Sequence, residues 1–237
     1  MNRKRSKTIA RGNLVLTLLL SAAWQMQAQD AKTPYPSMAP LEQYLMTDRN
    51  AEIALARTAA PKSISADASV VILTRHGFET AAEGKNGFVC IVERAWTSPF
   101  DAPEFWNPKN RSPICYNPAA ARSILPYTFK RTELVLAGLT NPQMLDRIKA
   151  AVANKELPTP EPGAMSYMLS KESYLNDKAG HWVPHLMFHI PKTDGASWGA
   201  NLDGSPVLLN PHDVPEPETT FFVPVDKWSD GTPAPAM

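Results

Sequence analysis

The sequence predicts an α+β fold: a single domain with an antiparallel sheet of about five to seven strands and helices on one face. Three observations carry that expectation. Apolar, alternating segments fall into two groups, near residues 69–94 and 165–225. Between them, Asn117-Pro118 and Asn141-Pro142 each pair a capping residue with proline, the arrangement that opens helices. Finally, 23 prolines against 11 glycines disfavour long helices and favour short elements joined by stiff loops.

The chain starts with a segment read as lying outside the domain. Residues 1–28 carry Arg3, Lys4, Arg5, Lys7 and Arg11, no acid, and the apolar run Leu14 to Trp24. A basic head, a short apolar stretch and a small residue near Ala28 have the form of a secretory signal peptide. The run is shorter than the roughly 20 apolar residues that cross a bilayer. Cleavage after Ala28 leaves 19 basic residues against 23 acids, a net charge of −4, so the overall +1 belongs to the signal. Such a balance excludes a nucleic-acid binder that works by bulk charge. The expected organisation is a signal at 1–28, a flexible arm at 29–39 and one domain at 40–237. The expected location is the periplasm or the exterior, with no membrane span in the mature chain.

Residues 40–59 read as an N-terminal helix in one or two pieces, with Asp48 capping the Ala-rich run that Pro61 ends. Ser69 to Arg75 is β-branched and apolar, a buried strand. Phe78–Glu83 and Phe88–Arg94 flank Asn86-Gly87, the strongest two-residue hairpin signal. In the second arm Val89, Ile91 and Glu93 share one face. Cys90 and Cys115 are the only cysteines, and in an oxidising compartment an even pair is most simply a disulfide, here pinning the Pro- and aromatic-rich loop 95–117.

The first Asn-Pro helix is expected to stop at Pro126, and residues 127–137 read as helical. The second places Leu145, Ile148 and Val152 on one face. Pro158, Pro160 and Pro162 form a stiff linker. Strands then return: Met165, Tyr167 and Leu169 alternate with polar neighbours, Leu186, Phe188 and Ile190 alternate with His185, Met187 and His189, and Phe221, Val223 and Val225 mark a last strand after a short one at 206–209. This strands–helices–strands order is similar, at fold level, to PAS-like and profilin-like domains.

Three constellations could carry chemistry. His181, His185 and His189 are spaced by four, but Pro184 interrupts any helix, and on a strand His185 and His189 stand about 13 Å apart. One divalent metal therefore needs His185 or His189 with a ligand from elsewhere, His181 on the preceding loop being the nearest candidate; a metal-dependent hydrolase would use His181 and His185, with His76 a further candidate. The alternative is that the rings hydrogen-bond to neighbours on a partly buried face. Next, aromatic side chains in or beside loops, Trp106 and Trp182 among them, suit the wall of a small-molecule pocket. A binding site on the sheet face would then use His185, Met187 and His189 with Trp106 and Trp182.

Third, Leu73-Thr74-Arg75-His76-Gly77 resembles the Arg-His-Gly motif of histidine phosphatases, and His212-Asp213 is similar to the His-Asp pair of their acid-phosphatase branch. The resemblance implies a nucleophilic His76 with Arg75 on phosphate. The plainer alternative is a tight turn between strands that Gly77 permits. Over most of the mature chain, in segments such as Gly87-Phe88-Val89-Cys90 and His185-Leu186-Met187-Phe188, the sequence resembles a family of exported bacterial proteins with no assigned activity. The expectation favoured is an exported small-molecule-binding module; the metal-dependent hydrolase and the phosphatase are its alternatives.

Overall fold

The computed structural model describes residues 34–209 and 214–235. The expected signal at 1–28, residues 29–33 of the arm, and His212-Asp213 lie outside the described residues. Among the described residues no helix is long and apolar enough to cross a membrane.

The chain first makes a 3-10 turn at Leu41–Gln43 and helix α1 at Arg49–Arg57. Asp48 caps α1, its carboxylate accepting from the Asn50 and Ala51 amides at 2.8 and 3.2 Å. A short helix α2 follows at Lys62–Ser65, with Pro61 preceding its first residue. Strand β1 (Ser69–Thr74) turns at Arg75-His76 into β2 (Gly77–Ala82), and β3 (Val89–Glu93) and β4 (Ser112–Tyr116) complete the first half. Helices α3 (Pro118–Ser123), α4 (Leu125–Leu136) and α5 (Asn141–Ala153) come next, followed by β5 (Met165–Met168), β6 (His185–Pro191), β7 (Leu208–Leu209) and β8 (Glu218–Pro224).

The eight strands form one sheet in the order β2-β1-β3-β4-β5-β6-β8-β7, antiparallel except between β1 and β3. The expected five to seven strands thus become eight among the described residues. Four strands precede helices α3–α5 and four follow, so the order is not that of the PAS- and profilin-like analogy. Helices also cover both faces rather than one. Alternation along the strands explains this. Val70, Ile72, Cys90, Val92 and Cys115 pack against Ala56 and Ala59 of the α1 segment, whereas Val71, Leu73, Ile91, Ile114 and Tyr116 pack against Leu134 of α4 and Met144 and Ile148 of α5. Central strands apolar on both faces need cover on both sides.

The Asn86-Gly87 hairpin is overturned. β2 pairs with β1, and β3 pairs with β1 from the other side, in parallel. Because β2 has already carried the chain back to the start of β1, residues 83–88 need only cross beneath it. There the Gly84 amide donates to Ser69 Oγ (2.9 Å), the Lys85 amide to the Asp67 carbonyl (2.7 Å), and Asn86 Nδ2 to the Ile64 carbonyl (2.7 Å). Gly87, at φ +76°, supplies the left-handed residue that Asn-Gly provides equally well in a hairpin. The crossing is close: a Cβ on Gly84 would lie 2.1 Å from the Ser69 nitrogen and 2.4 Å from the Ala68 carbonyl carbon. Both are backbone atoms, so β1 would have to move. Gly84→Ala is expected to destabilise the protein by about 1–3 kcal/mol or more, which urea unfolding measures directly.

Cys90 and Cys115 stand opposite each other on β3 and β4, their Cα atoms 4.0 Å apart, and form the expected disulfide. It closes 25 residues that carry most of the loop aromatics, a constraint on the unfolded chain that stabilises the fold by roughly 3 kcal/mol on the chain-entropy account. Two helix boundaries also shift. α4 continues through Pro126, which sits in its first turn where no amide is needed. α5 is capped by Thr140 rather than Asn141: the Gln143 side chain reaches back to accept from the Thr140 amide at 2.9 Å. Its buried face is Met144, Ile148 and Ala151.

Candidate functional site

One face of the sheet from β3 to β8 is only partly filled by α3 and α4. A cavity of about 530 Å³ remains between them, closed at its sides by residues 97–99 and by the segments flanking β6 and β8. Such a volume lies in the range of small-molecule sites. His185, Met187 and His189, alternate residues of β6, all point into it, with Trp182 beside them. Of the candidate ligand-binding residues the structure therefore brings four together. The fifth, Trp106, packs edge-on against Phe105 in the core and does not line the cavity.

The histidines occupy the buried face because their partners do. The β6 burial pattern alternates, with His185, Met187 and His189 buried and Phe188 exposed. His189 is fully partnered. Its Nδ1 lies 2.9 Å from Glu218 Oε2, which only accepts, so Nδ1 carries a proton; its Nε2 lies 3.0 Å from Ser166 Oγ. Thr220 Oγ1 donates to the same Glu218 oxygen at 3.2 Å. Ser, His and Glu in this sequence have the connectivity of a nucleophile, base and orienting group. Ser166, however, is fully buried and does not line the cavity, whereas Glu218 does. The chain of hydrogen bonds accordingly holds the Glu218 carboxylate in place.

His185 differs. Its Nδ1 donates to the Val183 carbonyl at 2.7 Å, which leaves Nε2 as an acceptor, and that atom is buried with no partner. Trp182 Nε1, an obligate donor, is likewise buried and unpartnered. Both residues line the cavity. Burial lowers the His185 pKa from 6.5, opposed weakly by the Val183 hydrogen bond, so the ring is neutral at pH 7. The sign of the pH effect follows. Between the lowered folded value and 6.5 the unfolded chain binds the extra proton, so stability falls as pH drops through that window. His185→Phe is expected to flatten this part of the stability–pH curve, measured by urea midpoints between pH 5 and 7.

The rest of the cavity wall was not singled out from the sequence. Glu93, at the end of β3, accepts from Tyr116 Oη (2.5 Å) and Thr128 Oγ1 (2.7 Å) on one oxygen, and from Thr97 Oγ1 (3.2 Å) on the other. Burial first, and then the Glu93 charge, push the Tyr116 hydroxyl well above its ordinary range, so it remains a donor. Arg131 on α4 holds Glu216 in a two-bond pair at 2.7 and 3.0 Å, donates to the Trp96 and Ser98 carbonyls, and lies over the Phe100 ring at 4.3 Å. Glu93 did leave a signal: it shares the face of Val89 and Ile91, an acid continuing an apolar stripe. Glu216 and Glu218 sit in a Pro-Glu-Pro-Glu run that reads as a polar loop.

The other candidates lie elsewhere. His181 is exposed, with Nδ1 on the Trp182 carbonyl at 2.8 Å and its ring edge-on to Trp228. Among the described residues no group of three or more His, Cys, Asp or Glu side chains surrounds a point that could hold a metal. Arg75 and His76 form the exposed β1–β2 turn, with Arg75 paired to Glu42 at 2.8 Å, the His76 amide donating to Thr74 Oγ1, and Gly77 at φ +116°. Neither lines the cavity. No family model, curated protein or solved structure matches the chain, so its site is read from its own chemistry.

Proposed function

We propose that this protein is an exported small-molecule-binding module whose ligand occupies the cavity on the His185–Met187–His189 face. One observation carries the reading: a cavity of about 530 Å³ is lined by His185 and Trp182, two side chains whose Nε2 acceptor and Nε1 donor are buried beside it with no protein partner. A buried polar atom left unpaired costs roughly 1–3 kcal/mol, and a ligand or water that pairs it recovers much of this. Around those atoms the cavity offers an apolar body in Met168, Met187 and Phe222. That combination of apolar wall and a few fixed polar groups is what small-molecule sites use. The basic, acid-free N-terminal segment and the disulfide support export.

The test is thermal denaturation of untagged protein across a broad panel of metabolites and glycans. A binder present at one hundred times its Kd adds about 2.7 kcal/mol, a rise of several degrees in Tm. At least one compound class should give it, and Trp182→Phe, which keeps an aromatic ring and removes the donor, should reduce it. Indifference to the whole panel would overturn the reading.

A further inference from the structure

Along the paired strands β6 and β8 the cavity wall is graded. At the end where Pro191 faces Glu218 it is polar, with His189, Lys192, Glu218 and Thr220. Toward the end where His185 faces Pro224 on one side and Met168 on the other, the wall is Met168, Met187, Phe222 and Trp182. His185 is the polar member of that end, but its Nδ1 is turned to the Val183 carbonyl and its Nε2 is buried. Trp182 Nε1 is buried as well, so this end presents mainly carbon to a ligand. Glu93 stands three strands away, on β3.

The carbon-rich end borders a second space. An open groove of about 340 Å³ is lined by Val183, Leu208 and Pro224 together with Trp182, His185, Leu209 and Phe222, and these last four line the cavity as well. Among the described residues no carboxylate, lysine or arginine lines the groove. Val183 and Leu208 are 45% and 39% exposed, so apolar side chains meet water at its mouth. Because His185 faces Pro224 and Leu208 faces Phe222, the groove crosses β6, β8 and β7, about 10 Å at the usual strand spacing. The outer edge of β7 is already taken: Asn201 Nδ2 donates to the Leu209 carbonyl, Asn201 Oδ1 accepts from the Leu209 amide, and the Asn201 amide donates to the Val207 carbonyl. What lies uncovered is side chain rather than backbone, which suits a hydrocarbon and not an added strand. The wall shared by the two spaces can also shift without breaking a hydrogen bond at His185 Nε2 or Trp182 Nε1, since neither atom makes one.

We infer that the ligand is an amphiphile whose polar head lies toward the Glu218 end of the cavity and whose aliphatic tail passes Trp182 and Phe222 into the groove between Val183 and Leu208. This rests on the cavity being a ligand site, and it adds the ligand's class and the route of its tail. Glu218 and Lys192 both stand at the head end, so the wall there carries both signs of charge. The tail supplies the affinity, because each methylene taken out of water tightens binding by up to about fourfold.

The experiment uses the full chain and straight alkyl series from ethyl to octyl on three heads, a glucoside, an ammonium and a carboxylate, each kept below its micelle concentration. Binding is read by calorimetry and by thermal shift. The expected result is that in at least one series each methylene that reaches the groove tightens binding by about two- to fourfold. Leu208→Glu on the edge strand and Val183→Glu on the loop before β6 each place a charge in the groove, and each should flatten the long half of that series. Both positions are exposed, and urea midpoints close to that of the parent protein verify that the variants fold. An affinity that ignores tail length, or a length dependence that survives both variants, overturns the amphiphile assignment and leaves the binding site standing. So does a tailless metabolite that binds when no alkyl compound does. Indifference to every series and to the whole metabolite panel overturns both.

Discussion

Arg131→Ala is expected to destabilise the protein by about 3–5 kcal/mol. The guanidinium and Glu216 are 4% and 3% exposed, so the pair is desolvated, and its value lies in what remains when one member is removed. The variant would leave a buried carboxylate with no cation, two carbonyls (Trp96 and Ser98) without their donor, and the Phe100 ring without its cover. Replacing both partners with apolar residues of similar size, Arg131→Met with Glu216→Leu, should recover most of the loss, because no charge is then stranded. Urea unfolding of the oxidised protein measures both. A cost below about 1 kcal/mol for the single variant would place the pair in the class of surface ion pairs and contradict the buried wall. Arg131 joins α4 to the 97–99 segment, so the same variant should also weaken any ligand that binds the cavity.

Glu52→Ala should cost a similar amount, about 3–5 kcal/mol, on the opposite side of the sheet. Glu52 on α1 is 1% exposed and Arg94, just past β3, is fully buried; they meet at 2.8 Å. The same carboxylate oxygen accepts from the Leu73 amide of β1 at 3.2 Å, so one side chain ties α1 to two central strands. Arg94 is otherwise held by the carbonyls of Tyr44 and Val92, which orient it but carry no charge. Burial already pulls the Arg94 pKa down and Glu52 resists this; the Arg94 charge in turn acts on Arg111, which Glu52 also counters. Without Glu52, the Arg94 charge would act on Arg111 with no carboxylate there to counter it. Glu52→Gln keeps an acceptor for Leu73 and loses only the charge, so its cost in the same urea experiment should fall below that of alanine.

Much of the fold could be read from the sequence where one face of an element is apolar and the other is not. Asp48, the β1 run, the alternation of β5, β6 and β8, and the cysteine pair all follow from local chemistry that tertiary contacts leave unchanged. Strand β4 did not, because Ser-Pro-Ile-Cys-Tyr has no alternation: all five residues are buried, and Pro113 argues against a central strand. It is tolerated because β5 pairs only with Cys115 and Tyr116, so Pro113 is matched on the β3 side alone. The crossing of residues 83–88 escaped for a different reason. Asn-Gly specifies a backbone conformation, and which strands that turn connects depends on β2 having already returned the chain.

The site was half legible for the same physical reason. Period-two alternation places His185, Met187 and His189 on one face, and Trp182 is close in sequence. It says nothing about what stands opposite. Arg131, Thr128 and Tyr127 come from a helix about 50 residues away, and Glu218 arrives from a run whose prolines mark it as loop. Burying His189 required Ser166 and Glu218 as partners from neighbouring strands, a condition visible only once strand order is known.

The most direct test of the proposed ligand site watches the indole N–H signals of the tryptophans during titration with the compound that stabilises the protein best, using ¹⁵N-labelled protein and NMR. Trp182 lines the cavity and its buried Nε1 has no partner, Trp96 Nε1 is already committed to Thr132 at 3.0 Å in the core, and Trp198 is exposed beside Phe221. The expected result is a saturable shift of the Trp182 signal at the concentration that raises Tm, with Trp96 and Trp198 unmoved. A stabilising compound that shifts Trp198 or Trp228 and leaves Trp182 unchanged would place binding elsewhere and contradict the site.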